Sequence, residues 1–214
     1  MSYAKSEGLA EERLRAFRLV PVSRETELRF HTFVDLLDRW RKKTNLISEA
    51  AFASVWTRHI ADSAQILLVG PKAIRWLDMG CGAGFPGMVL AMQLADVGGA
   101  VVHCVESDQR KCAFLREVAR ATCAPAIVHP LRIQSIDPSI LGTMDGITAR
   151  AFAPLSGTLD VAKGWLTAGA VGVFPRGRSV SKQLEGLHSC SNYGIDIVPS
   201  IIDSAAAILR VRTN

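Results

Sequence analysis

The segment Leu77-Asp78-Met79-Gly80-Cys81-Gly82-Ala83-Gly84-Phe85-Pro86-Gly87 constrains the fold more than any other part of the chain. A short apolar run at 74–77 precedes it and reads as a strand, and the apolar stretch 88–94 after it reads as a helix. Glycine at every second position lets the backbone turn tightly and lets a ligand come close, because no Cβ intervenes. The start of the following helix adds unpaired N–H groups and the positive end of a dipole.

Two ligand classes fit these letters. An acid two residues ahead of the first glycine, Asp78-x-Gly80, suits a loop that holds S-adenosyl-L-methionine, whose ammonium group the carboxylate attracts directly or through water. Gly82-x-Gly84-x-x-Gly87, with Glu106 near the expected offset, also satisfies the dinucleotide fingerprint. The acid ahead of the glycines, Pro86 at the helix start and the single occurrence of such a unit favour S-adenosyl-L-methionine. A nicotinamide or flavin cofactor stays as the alternative.

From residue 74 onward strands and helices alternate. Runs at 100–105, 126–133 (interrupted by Pro130), 147–151 and 171–174 read as strands, and 195–198 with 206–211 as a closing pair. Helices are expected at 109–122 and 155–166, with a weak one at 182–187. The expectation is an α/β fold: a doubly wound, mostly parallel, seven-stranded Rossmann-like sheet of the class I methyltransferase kind. Before residue 70 the pattern is helical. Leu28, Phe33, Leu36, Leu37 and Trp40 recur at helical spacing over 25–43, and Ser48 is placed to cap a second helix that Gly70-Pro71 ends. The chain therefore divides into an N-terminal helical extension, 1–70, and a cofactor domain, 71–214.

With 49% hydrophobic residues over 214 positions, a sizeable core is available. No apolar run approaches the roughly 18 residues a membrane span needs, and residues 1–12 lack an apolar signal core, so a cytoplasmic protein without membrane contact is expected. The net charge of +5 permits a polyanionic partner such as RNA. Arg39, Arg41, Lys42 and Lys43 suit either a helix C-terminus or phosphate contacts. Five cysteines without C-x-x-C spacing argue against a disulfide framework and against a zinc site, and no metal is expected. Cys81 lies inside the glycine loop, so its alkylation is expected to block the cofactor.

In a sheet of this kind ligands sit past the carboxyl ends of the strands. That rule selects Asp78, Gly80, Gly82 and Gly84 after the first strand, and Glu106 after the second, where a carboxylate accepts both ribose hydroxyls. Arg132, Ile133 and Gln134 follow the third strand, beside the expected adenine edge. Arg150 follows the fourth, over the expected position of the transferring methyl. Arg58 and Asp62, four apart on one helix, share a face and can pair, which in most proteins is no more than a surface ion pair.

These residues resemble the RsmG (GidB) family of bacterial ribosomal small-subunit RNA methyltransferases. The likeness runs from about Phe30 to Phe174. It includes Trp40 with Thr44-Asn45-Leu46-Ile47, then Arg58-His59-Ile60-Ala61-Asp62-Ser63, the glycine loop, Val105-Glu106-Ser107, Lys111, Phe114-Leu115, Arg132 and Ala149-Arg150-Ala151-Phe152-Ala153. The resemblance implies N7 methylation of one guanine in 16S rRNA near the decoding region, with free rRNA or the small ribosomal subunit as partner. It implies cofactor contacts from Gly80, Phe85, the pair Ile133–Gln134 and the side chain of Arg150. Two positions depart from the family pattern: Gln134 stands where an acid is usual, and Arg176-Gly177 where Lys-Gly is usual.

Guanine N7 carries a lone pair and no proton, so no general base is required. The protein has to supply in-line placement of N7 and methyl. Arg150 is expected to hold guanine O6 or a phosphate, with Arg132 and Arg176 nearby, and Phe85 or Phe152 to stack on adenine or the target base. Nothing in the sequence demands more than a monomer. The competing readings are a methyltransferase for another acceptor and a non-catalytic RNA-binding assembly factor.

Overall fold

The computed structural model describes residues 3–178, 180 and 192–214; the expected weak helix at 182–187 and Cys190 lie outside them. Seven strands form one sheet: β1 Arg75–Met79, β2 Val101–Val105, β3 Ala126–His129, β4 Gly146–Thr148, β5 Val171–Arg176, β6 Tyr193–Pro199 and β7 Ala207–Thr213. Their order is β3-β2-β1-β4-β5-β7-β6. β1 to β5 pair in parallel, whereas β7 pairs antiparallel with both β5 and β6. The doubly wound sheet expected from the alternation is therefore present, and its seven strands match the seven apolar runs. β3 stops at His129 because Pro130 cannot donate to a ladder.

Among the described residues the α-helices are α1 Tyr3–Leu19, α2 Arg24–Trp40, α3 Glu49–Phe52, α4 Asp62–Ala64, α5 Ile66–Val69, α6 Gly87–Gln93, α7 Gln109–Thr122, α8 Pro138–Leu141 and α9 Leu155–Thr167. The Ser23 and Ser48 side chains each accept a backbone N–H at 3.1 Å, which fixes the starts of α2 and α3. α2 buries Phe30, Phe33, Val34, Leu36 and Leu37 on one face. Phe33 meets Phe85 and Phe114 at ring-centroid distances of 5.1 and 6.1 Å. Trp40 adds an N–H bond of 2.9 Å to Glu117 on α7. One apolar cluster thus runs from Ala16 through α2 to Trp76 on β1 and Val102 on β2.

Between α3 and α4 the helix is not regular. Trp56–Ala61 forms a π-helix, which inserts an extra residue per turn. Its start is held from outside: the Glu12 carboxylate on α1 accepts the N–H groups of Trp56 and Thr57, each at 3.0 Å, and also the Thr57 hydroxyl.

Candidate active site

Two clefts lie along the carboxyl edge of the sheet. The first, about 220 Å³, is lined by Gly80 after β1, Val105 to Ser107 at the end of β2, Leu131 to Gln134 after β3, and Phe152. The second, about 620 Å³, is lined by Arg58 and Asp62, by 150–154 after β4, by Pro175 to Gly177 at the end of β5, and by residues of the β6–β7 turn. Phe152 belongs to both. Its ring leans on Gly80: a Cβ at that position would come within 2.7 Å of Phe152 Cδ2, and Gly80 has φ +73°. The neighbour Ala151 also carries a positive φ, 51°. Core packing is the commoner fate of such a phenylalanine, yet here the half-buried ring partitions two cavities.

The glycine loop divides its labour. Gly82 faces open space, since a Cβ there would meet nothing nearer than 3.9 Å, and its φ is +55°. Its N–H donates to Glu106 Oε2 at 3.0 Å, while Glu106 Oε1 accepts the Asp108 N–H at 2.8 Å. A carboxylate oxygen has a second lone pair, so Glu106 keeps capacity for hydroxyl donors. Gly84 faces inward, against Met88 and Leu115. Asp78 is fully buried, and its Oδ2 accepts the Gly87 N–H at 2.7 Å while Oδ1 has no partner among the described residues. Burial pushes its pKa up to about 7. The first N–H of α6, expected from the sequence to be free for a ligand, is thus taken by Asp78 itself.

Three expectations need correction. Phe85 is not a stacking platform: it is buried, with its ring 4.9 Å from His59 and 5.1 Å from Phe33, because the apolar face of α2 needs a partner there. Cys81 is 1% exposed, and its thiol pKa is raised by the Cys104 thiol beside it and by burial, so it is closed to alkylation in the folded chain. Arg58 and Asp62 do not pair; the π-helix breaks the four-residue register that would have aligned them.

Asp62 instead faces Arg150, with Oδ2 3.6 Å from Nη1. Arg150 Nη2 donates to the Arg58 carbonyl at 2.9 Å and to His59 Nδ1 at 2.8 Å. The His59 roles agree with its charge state: burial, then repulsion from Arg150 and Arg58, lowers its pKa to about 3, so the ring is neutral and Nδ1 accepts. Burial raises the Asp62 pKa and the Arg150 cation opposes it. Arg150 therefore lines the second cleft and not the first. Arg132 does the reverse: it is exposed on the rim of the first cleft, beside Ile133 and Gln134. Arg176 is buried in the wall of the second, donating to the Ala153 carbonyl at 3.1 Å and to Thr158 Oγ1 at 2.8 Å. The basic run after α2 is only partly free. Arg41 lies over Phe52 at 4.1 Å and pairs with Asp38 and Glu49, and Lys42 pairs with Asp38 at 3.0 Å.

Residues that sequence reasoning did not select include Gln65 and Ser200. Gln65 is 1% exposed; its Nε2 donates to Asp62 Oδ1 at 2.9 Å and to Ser200 Oγ at 3.1 Å, and its Oε1 accepts the Ile201 N–H at 3.1 Å. A buried glutamine with all these bonds ties the helical segment to the β6–β7 turn. No local pattern announces a pair 135 residues apart.

The open space at Gly82, Glu106 at a strand end and the amide of Gln134 beside it fit a nucleoside with an attached amino acid, as S-adenosyl-L-methionine is. Comparison with known proteins agrees. A family model described as rRNA small subunit methyltransferase G matches residues 27–194. A protein named ribosomal RNA small subunit methyltransferase G from Nitrobacter hamburgensis is 46% identical over 181 residues, covering 85% of this chain and 70% of its own. One of the same name from Methylorubrum extorquens is 44% identical, covering 89% and 90%. The SAH-bound methyltransferase PaMTH1 from Podospora anserina shares the fold, with a TM-score of 0.57 at 13% identity over 91% of this chain and 98% of its own. A match of this extent to the family model and to its relatives makes the chain a member of the rRNA small subunit methyltransferase G family.

Proposed function

We propose that the protein transfers a methyl group from S-adenosyl-L-methionine to N7 of one guanine in 16S rRNA. The observation that carries this reading is the meeting of the two clefts at Phe152. One has the donors and acceptors a nucleoside cofactor needs. The other is lined by Arg58, Arg150 and Arg176, which suits the base and phosphate of a nucleic acid.

When bound, the cofactor supplies an electrophilic methyl on a sulfonium. The remaining work is positioning, which can be worth several kcal/mol of the barrier. Glu106 is assigned to the ribose hydroxyls, and Gln134 with Ile133 to adenine. Asp78 sits too deep for direct contact; its role is to fix Gly87, and through it the loop. Arg150, clamped by His59, Asp62 and the Arg58 carbonyl, offers its remaining N–H donors to O6 or a phosphate. Arg176 keeps the β5 end of the cleft cationic, and Arg132 serves the cofactor rim. Residues 1–70 act as a helical extension on the domain 71–214. Among the described residues no helix is long and apolar enough to cross a membrane. The reading places the enzyme in the cytoplasm as a monomer, acting on free rRNA or on the small subunit.

The test is transfer of a labelled methyl to small-subunit RNA and to intact subunits from a strain lacking this gene, followed by digestion to nucleosides. Label in 7-methylguanosine is expected. No label in either acceptor, with the cofactor still bound, would overturn the assignment.

A further inference from the structure

The second cleft contains a carboxylate that the proposed reaction leaves unexplained. Asp62 is committed to Arg150 and Gln65. Asp203, in the β6–β7 turn, lines the same cleft and has no basic side chain within 4 Å among the described residues. Its Oδ1 accepts the Ala205 N–H at 2.9 Å, and its carbonyl accepts the Ala206 N–H at 2.9 Å. A carboxylate has about four lone-pair positions, so most of its capacity is unspent. An unpaired anion in a wall that receives RNA opposes binding through charge repulsion, unless the incoming base offers it donors.

Topology says which edge of a base it meets. β7 runs antiparallel to β5, with Arg176 opposite Ala207, so the β6–β7 turn lies at the same carboxyl edge as the cofactor cleft. Along that edge the cofactor cleft comes first, over β1, β2 and β3; then Phe152 after β4, Arg176 at the end of β5, and Asp203 beyond. A guanine whose N7 faces the cofactor turns its opposite edge, N1–H and N2–H₂, toward this far end. Guanine alone among the four bases has two adjacent donors there, and adenine would present a lone pair at N1. The turn is also held rigidly, by Ile201 N–H on Gln65 Oε1 and Ile202 N–H on Ser200 Oγ, both at 3.1 Å.

We infer that Asp203 is a specificity-determining residue that accepts the N1–H and N2–H₂ of the target guanine. The inference rests on the proposed N7 reaction and assigns the opposite edge of the same base.

The test compares acceptors carrying guanosine or inosine at the modified position; inosine lacks only the N2 amine. For the wild type, kcat/KM for guanosine should exceed that for inosine by about tenfold, as a charged acceptor deprived of one donor implies. Asp203→Ala and Asp203→Asn should bring the ratio to within about twofold of unity. Asp203→Asn keeps an oxygen for the Ala205 N–H, so it separates base reading from turn integrity, and unchanged affinity for S-adenosyl-L-methionine reports an intact fold. A wild-type ratio near one, or an Asp203→Asn enzyme that keeps the wild-type ratio, would overturn the inference. A wild type that methylates neither acceptor would instead overturn the N7 reading beneath it.

Discussion

The two clefts that meet at Phe152 are built by different means. The cofactor cleft is made of backbone turns and strand ends, most of them within residues 78–134. The acceptor cleft is made of side chains drawn from 58–62, 150–154, 175–177 and 200–208, and oriented by one another. The first needs the ends of three neighbouring parallel strands side by side, with Phe152 beside them. The second draws on elements spread from Arg58 to Ile208. The difference predicts that the two functions can be lost separately.

The largest effects should come from a reciprocal pair of substitutions. Gly82→Asp forces a side chain into a φ of +55° and sets a second carboxylate beside Glu106. It should weaken S-adenosyl-L-methionine binding roughly a hundredfold or more by calorimetry, given the cost of like charges at close range. Arg150→Ala should leave that affinity within about threefold and lower methyl transfer roughly a hundredfold, the scale of removing one positioned electrostatic donor. Equal loss of cofactor binding in both variants would erase the distinction between the clefts.

A smaller effect sharpens it. His59→Ala removes one acceptor from Arg150 and should lower kcat about tenfold. His59→Asn, which can return an oxygen near the Nδ1 position, should recover part of the rate. Since His59 is neutral above about pH 3, the wild-type rate should show no step from this residue between pH 6 and 9.

The last effect is on stability rather than on binding or rate, and it concerns the cofactor side. Asp78 has a pKa near 7 in the folded chain against about 3.9 when unfolded, so the folded state binds the proton more tightly. Its contribution to stability is full below about pH 4 and is lost as pH rises to about 7. Asp78→Asn should flatten Tm over that window, while keeping an acceptor for the Gly87 N–H.

This contrast also explains what the sequence discloses. The alternation of strands and helices, the loop and the strand-end position of Glu106 follow from a periodic pattern and from the rule that ligands sit past strand ends; the order of the strands does not. Arg132, Ile133 and Gln134 are placed beside the cofactor cleft by the same rule. The Arg150 clamp is not, because the π-helix at Trp56–Ala61 shifts the register that an ordinary helix would give Arg58 and Asp62. The stacking role expected of Phe85 overlooks the aromatic face of α2, where Phe33, at helical spacing, takes its ring.

The placement of β7 between β5 and β6 has a consequence for how the protein comes into being. The glycine loop has left the synthesising machinery more than 100 residues before the 200–206 turn, so the means of holding the cofactor precedes the means of choosing an acceptor. A chain halted after β5 and before β7 leaves the β5 edge bare, an open template for pairing with another chain. Such a fragment would be a holder of methyl donors with no sense of where the methyl belongs.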